Sequence, residues 1–403
     1  MTPTCGGCFT GTVRPARPRE GAQITVQSFP KIASAIAAAP STHTAAKRFY
    51  RPELDALRFF AFLGVLLHHG PLGFGILWLI SAAGGFGLSM FFLLSAYLIT
   101  ELLLREREKT ATIAWRLFFL RRALRIWPLY YAALAAAIVI ARISPHHYWI
   151  SRTAIAVLAL FVANWTSLAP GLGVFVGHLW SISIEEQFYL IWPPIIKLGG
   201  KRLAFIASIV FVVSAAVWLW VFSGKGWLLW YDTPVEFLFF AAGALIALVT
   251  RGQPLHGLRG VMRGGLLVAG LISLVLTAYF GFVPTEFLPG ITPIRLCIKY
   301  AGAVVGCGTI FVAVLGMSRI PRVLIYFGKI SYGLYVFHLA MLQLSMRLAA
   351  PFRLASYSAT NVFLVDSLAL LLCLFAAHLS YRYFERPFMR LKERFAVIQS
   401  RPA

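Results

Sequence analysis

The 403-residue chain is 59% hydrophobic and only 13% charged, about half the charged share of a soluble globular domain, which excludes a water-soluble fold as the main architecture. Its net charge is +23, from 37 Lys and Arg against 14 Asp and Glu. These basic residues fall in short clusters between apolar runs, a pattern that orients helices and meets anionic head groups, so the charge does not call for nucleic acid as a partner.

Residues 1–49 show neither helical nor strand periodicity and no apolar signal-peptide core, and they read as a disordered cytoplasmic N-terminal extension. Within them, Cys5 and Cys8 have the spacing of half a zinc knuckle without a second ligand pair, so no metal is expected. Cys297, Cys307 and Cys373 lie in apolar runs, where cysteine acts as a small hydrophobe. From residue 50 the apolar runs approach the roughly 20 residues that cross a bilayer as helix, not the 10-residue alternation of a membrane strand. The fold class is therefore all-α, a multi-span integral membrane protein with about ten transmembrane helices plus a re-entrant segment. The spans lie near 57–76, 83–104, 126–143, 179–196, 203–222, 232–249, 264–282, 293–315, 330–347 and 360–381. Residues 153–165 form a shorter apolar run better suited to a re-entrant segment. Treating it so leaves most Lys and Arg on one side, whereas treating it as a crossing divides them almost evenly. The positive-inside rule thus favours the re-entrant reading with both termini cytoplasmic. Residues 389–403 form a basic cytoplasmic tail.

Ionisable residues inside spans are costly and are read as functional first. Arg58 and His69 are eleven positions apart, three helical turns, hence on one face about 16 Å apart along the axis. Arg58 can also be read as snorkelling to head groups, and His69 as a satisfied structural histidine. His68 is rotated about 100° away and is the less favoured of the pair.

The setting of Arg58 and His69, Arg51-Pro52-Glu53-Leu54-Asp55-Ala56-Leu57-Arg58, resembles the Arg-then-His signature of the acyltransferase 3 family. Five further stretches match in order: Phe91 to Ile99 (with Ala96 where Gly is usual), Arg121 to Pro128, His178 to Tyr189, Gly328 to Tyr335 with His338, and Glu385-Arg386-Pro387. The likeness covers about residues 50–388, the expected acyltransferase 3 transmembrane domain. One departure is Glu236, near a place where the family often carries arginine.

The resemblance implies a bacterial inner-membrane O-acyltransferase. It would move an acyl group, acetyl in the simplest case, from cytoplasmic acetyl-CoA or another acyl-CoA to a hydroxyl of a carbohydrate or glycolipid acceptor. His69 is the expected catalytic base, assisted by Glu185 or Glu186, which the topology places near its depth. Arg58, Arg122 and Arg125 are expected to bind the donor phosphates, since Arg122 and Arg125 are neighbours on one helical face and guanidinium pairs hold phosphate bidentately. An ordinary positive-inside cluster against membrane lipids is the plain alternative. Trp180, Ser181, Tyr189 and His178 are the expected substrate-binding wall, although aromatics at this level also form interfacial belts. His146 and His147 are placed in the outer re-entrant region, His338 has no assigned partner, and Glu385 with Arg386 reads as an ion pair. Multi-span topology with buried charge also fits a glycan or lipid transporter or flippase, against which no paired interrupted helices are seen, and a cytoplasm-facing O-acyltransferase of a small, macrolide-type product would share the chemistry.

Overall fold

The computed structural model describes residues 49–71, 75–144, 149–165, 175–251, 260–281, 292–352 and 359–398, together with Gly171, Gly173, Gln253 and Leu258. The Cys5 and Cys8 pair, nearly all of the expected N-terminal extension, His146 and His147 lie outside the described residues.

Every regular element among them is helical. In chain order the α-helices are α1 (Pro52–His69), α2 (Gly75–Gly84), α3 (Phe86–Thr110), α4 (Trp115–Ile143), α5 (Arg152–Ala159), α6 (Trp180–Val221), α7 (Thr233–Thr250), α8 (Gly260–Gly281), α9 (Pro293–Val314), α10 (Arg322–Lys329), α11 (Ser331–Ala349), α12 (Ala359–Leu379) and α13 (Arg386–Arg394). Seven helices among the described residues are long and apolar enough to cross a membrane, or eight if α10 and α11, bent by 71° at their junction, are one broken span. The architecture is that of a multi-span membrane protein.

Two features separate this count from the expected ten. Helix α1 carries Glu53, Asp55 and Arg58 in its first two turns, and it is not among the seven. Helix α6 has 42 residues, about 63 Å at 1.5 Å per residue, twice a bilayer's hydrocarbon thickness. It is interrupted at Gly200, whose φ of 57° and ψ of −138° suit only glycine, and an added Cβ would lie 1.6 Å from the Arg107 guanidinium. The two expected spans at 179–196 and 203–222 are its two arms.

Helix α5 is eight residues, about 12 Å, too short to cross. Beyond it the chain turns back at Phe161 (φ 55°) into a polar knot. Asn164 Nδ2 donates to the Tyr231 carbonyl at 3.1 Å and to Thr233 Oγ1 at 2.9 Å, and Gln187 Nε2 donates to Asn164 Oδ1 at 2.8 Å. Each buried amide group is thereby satisfied without water.

The outer surface carries large apolar side chains at helical spacing, including Val210, Val213, Val217 and Val221 on α6 and Phe363, Leu371 and Phe375 on α12. Water would not tolerate so extensive a patch; lipid does. Inside, Phe92 stacks on Phe240 at 4.8 Å between ring centroids and Phe188 packs on Phe240 at 4.4 Å.

Helix α10 packs against the start of α1 so closely that Gly328 admits no side chain. A Cβ there would sit 1.8 Å from the Asp55 carbonyl oxygen, a backbone atom that cannot swing aside. Gly328→Ala is therefore expected to lose about 1–3 kcal/mol or more, seen as a lowered melting temperature in detergent. Gly308→Ala, where nothing lies within 4 Å, is the control that should melt with wild type. Equal melting of both variants would contradict this packing.

Candidate functional site

Two cavities meet in the core. The first, about 220 Å³, is basic: Arg58 from α1, Arg121, Arg122 and Arg125 from α4, and Lys392 from α13 line it with Ser95, Ser181, Glu185, Tyr189, Tyr332 and Tyr335. The second, about 180 Å³, is lined by His68, His69, His178, Trp180, Trp227, Trp230, Tyr231, Lys299, Tyr300 and Tyr335. Leu88 and Tyr335 line both and form the partition between them. Helix α1 gives Arg58 to one cavity and His69 to the other, so the three-turn spacing of these residues matches the separation of two chambers. The fold builds two adjoining chambers for them, not one.

In the basic cavity Arg58 is buried and held by Asp55, Nη1 to Oδ1 2.8 Å, while Asp55 also accepts from the Tyr50 hydroxyl at 2.9 Å. The guanidinium is thus turned inward, to the cavity lining. Arg122 lies over the rings of Phe118 (5.5 Å) and Tyr189 (5.1 Å), cation–π contacts that hold its plane open to the cavity. Glu185 accepts hydrogen bonds from the Ser95 and Tyr189 hydroxyls and lies within electrostatic reach of Arg122. Arg121 is engaged elsewhere, donating to Glu106 at 3.0 Å and to the Phe395 carbonyl at 2.9 Å.

In the second cavity His69 is solvent-accessible, and its Nδ1 lies 2.9 Å from the Val65 carbonyl. A carbonyl only accepts, so Nδ1 carries the proton and Nε2 is the basic nitrogen. The same logic puts the proton on Nδ1 of fully buried His338, 2.6 Å from the Tyr335 carbonyl. The rings form a chain: His69 to His338 at 4.9 Å, His338 to His178 at 4.6 Å, His178 to Tyr335 at 5.2 Å, with His68 beside His69 at 5.2 Å. Trp180 packs edge-on against Tyr231 at 4.6 Å. Among the described residues no three metal-ligating side chains converge.

Tyr335 is tied in place by its hydroxyl, 2.6 Å from Ser181 Oγ and donating to the His178 carbonyl at 2.9 Å. The partition is thus braced against the start of α6.

Several expected residues fall into place differently. His69 is joined by histidines and not by a glutamate: Glu185 is bonded to Ser95 and Tyr189 on the basic side, and Glu186 lines neither cavity, lying beside Trp127. The cause is helical geometry, since Glu185, five residues on from Trp180, is rotated about 140° from it around α6 and shares the face of Ser181. The expected substrate wall is divided for the same reason. Trp180 and His178 face the histidine cavity, whereas Ser181 and Tyr189 face the arginines. Arg122 and Arg125 do share a cavity with Arg58. Glu385 turns inward to accept from Ser380 at 2.9 Å, in a π-helical turn at Ser380–Glu385, while Arg386 is exposed. Glu236 is fully buried in the first turn of α7, within electrostatic reach of Lys299 of the histidine cavity.

Trp227, Trp230 and Lys299 stand outside the stretches singled out from the sequence, and Tyr335 enters there only as the end of a matched stretch. The Trp227-to-Tyr231 cluster carried a legible signal, three large aromatics between two helices; Lys299 carried none.

A family model described as an acyltransferase domain matches residues 51–382. The chain is 28% identical to the peptidoglycan O-acetyltransferase OatA of Listeria monocytogenes over 74% of its own length and 50% of that protein. It is 29% identical to the "Putative peptidoglycan O-acetyltransferase YrhL" of Bacillus subtilis, over 84% of this chain and 55% of the relative. A "Putative O-acetyltransferase" of Staphylococcus aureus strain MSSA476 is 27% identical over 89% of this chain and 60% of the relative. The chain therefore spans 50% to 60% of the length of these curated relatives. No solved structure matches. With 51–382 matched as one unit, and with Arg58, His69, the α4 arginines and the start of α6 all lining two adjoining chambers, the chain belongs to the acyltransferase 3 family.

Proposed function

We propose that this chain is a membrane O-acyltransferase that moves an acetyl group from acetyl-CoA in the basic cavity to a hydroxyl of a carbohydrate-containing acceptor in the histidine cavity. The observation that carries this reading is the pair of cavities sharing Tyr335 and Leu88, cations on one side and a basic imidazole nitrogen on the other. Six cationic side chains line the basic cavity against four carboxylates, and Asp55 and Glu106 are already bonded to Arg58 and Arg121. That excess suits the phosphates of CoA. The aromatic walls of the other cavity suit the apolar faces of a sugar.

The chemistry follows from the tautomer. His69 Nε2 takes the proton of the acceptor hydroxyl as its oxygen attacks the thioester carbonyl. The tetrahedral intermediate collapses, the C–S bond breaks, and the imidazolium returns its proton to the departing CoA sulfur. Products are an acetyl ester and free CoA. The thioester end must reach past Tyr335 for this to happen. Polysaccharide, lipopolysaccharide, glycolipid and the peptidoglycan of the named relatives are the acceptor classes. The chain sits in the bacterial inner membrane with ten crossings, α1 and the two arms of α6 counted separately, and with both termini cytoplasmic.

Mass spectrometry of surface glycan and lipid fractions with and without the gene should show the loss of one acetyl group from one fraction. Identical fractions, together with movement of a glycan or lipid across proteoliposomes without acyl donor, would instead establish a transporter.

The partition gives a second expectation. Tyr335→Ala removes the ring that separates the cavities, so water gains the thioester and CoA release should exceed acceptor acetylation several-fold. Tyr335→Phe keeps the ring, losing only the bonds to Ser181 and the His178 carbonyl, and should stay coupled. Parallel assays of free thiol and acetylated acceptor read the ratio. An unchanged ratio in the alanine variant would remove Tyr335 as a barrier.

A further inference from the structure

Helix α13 and residues 395–398 lie beyond the 51–382 matched by the family model, and by sequence residues 389–403 read as a basic cytoplasmic tail. The structure brings part of that tail to the basic cavity. Lys392, Glu393, Ala396 and Ile398 line the basic cavity, and the Phe395 carbonyl accepts from Arg121 Nη1 at 2.9 Å.

The cavity has a direction along α4. Arg121 marks the tail end. Four residues on, about 6 Å, Arg125 is followed by Ile126, whose carbonyl accepts from the Tyr332 hydroxyl at 2.7 Å, three residues before the partition at Tyr335. An acyl-CoA is a rod with its thioester at one end and a 3′-phosphorylated adenosine at the other. With the thioester at the partition, the nucleotide end lies at the tail.

From this we infer that Lys392 is a donor-binding residue, contacting the 3′-phosphate of CoA, and that the C-terminal segment completes the donor site. The inference rests on the reading of the basic cavity as the acyl-CoA site. Glu393 brings a carboxylate to the same wall, so the contact is local and not a general cationic attraction.

The test uses full-length protein in detergent or proteoliposomes, with acetyl-CoA and 3′-dephospho-acetyl-CoA as donors. Wild type should favour the phosphorylated donor about threefold to tenfold in KM. Lys392→Ala should raise KM for acetyl-CoA by that factor and bring the two donors level, while Lys392→Arg keeps the preference. Lys201→Ala, which removes an exposed cation paired with Glu108 outside the cavity, should keep it as well. A donor preference that survives Lys392→Ala, or is lost equally in Lys201→Ala, overturns the assignment while leaving the donor site intact. A wild-type protein that neither binds nor turns over acetyl-CoA overturns the donor reading and, with it, this one.

Discussion

His69→Ala is expected to lower kcat/KM for acceptor acetylation by about 10²–10⁴-fold, the range a positioned general base contributes. The loss should fall on kcat, with KM for acetyl-CoA held, because the donor cations sit across the partition from this ring. Folding is not at stake. The imidazole is exposed in its cavity, and its bond is to Val65 within its own helix, so its removal leaves no buried partner stranded. His69→Gln offers an amide without a base and should fall equally far. The neighbouring rings make the comparison informative. His338 is fully buried, so His338→Ala should lower thermal stability as well as rate, whereas His69→Ala should lower rate alone. If His69→Ala retains the wild-type rate while a His178 or His338 variant does not, the base is another member of the cluster.

What could be read in advance follows from what a linear sequence encodes. The helical repeat places Arg58 and His69 on one face three turns apart without any tertiary knowledge, and both do face cavities. The same rule groups Arg122 with Arg125. The partition was not legible, because Leu88 and Tyr335 are 247 positions apart in the numbering and only the tertiary fold brings both to the same two cavities. Nor was the division of α6. Trp180 and Ser181 are successive residues rotated by about 100°, and only the position of neighbouring helices decides which chamber each faces. Depth alone suggested that Glu185 would meet His69; direction around the helix sends it to Arg122 instead. Nor was the place of the tail legible, because the Phe395 carbonyl meets Arg121 across 274 residues of chain.

Arg122→Ala is expected to raise KM for acetyl-CoA about 10- to 100-fold, the equivalent of one charge-assisted bond to phosphate. Two losses add. The guanidinium itself is gone, and Glu185 then faces the donor phosphates without its neighbouring cation. The second loss can be isolated: Glu185→Gln in the Arg122→Ala background should recover part of the affinity, whereas Glu185→Gln alone disturbs the carboxylate that accepts from Ser95 and Tyr189. A double-mutant cycle on KM then gives the coupling between the pair. Arg122→Lys keeps the charge but not the flat contact with Phe118 and Tyr189, so an intermediate rise of about 2- to 10-fold is expected. Raising the ionic strength should weaken donor binding in wild type more than in Arg122→Ala, because screening acts on the charge the variant lacks. Wild-type KM in Arg122→Ala would mean that the phosphates lie elsewhere. The cationic excess of the cavity would then serve lipid head groups, and the donor would have to enter by another route.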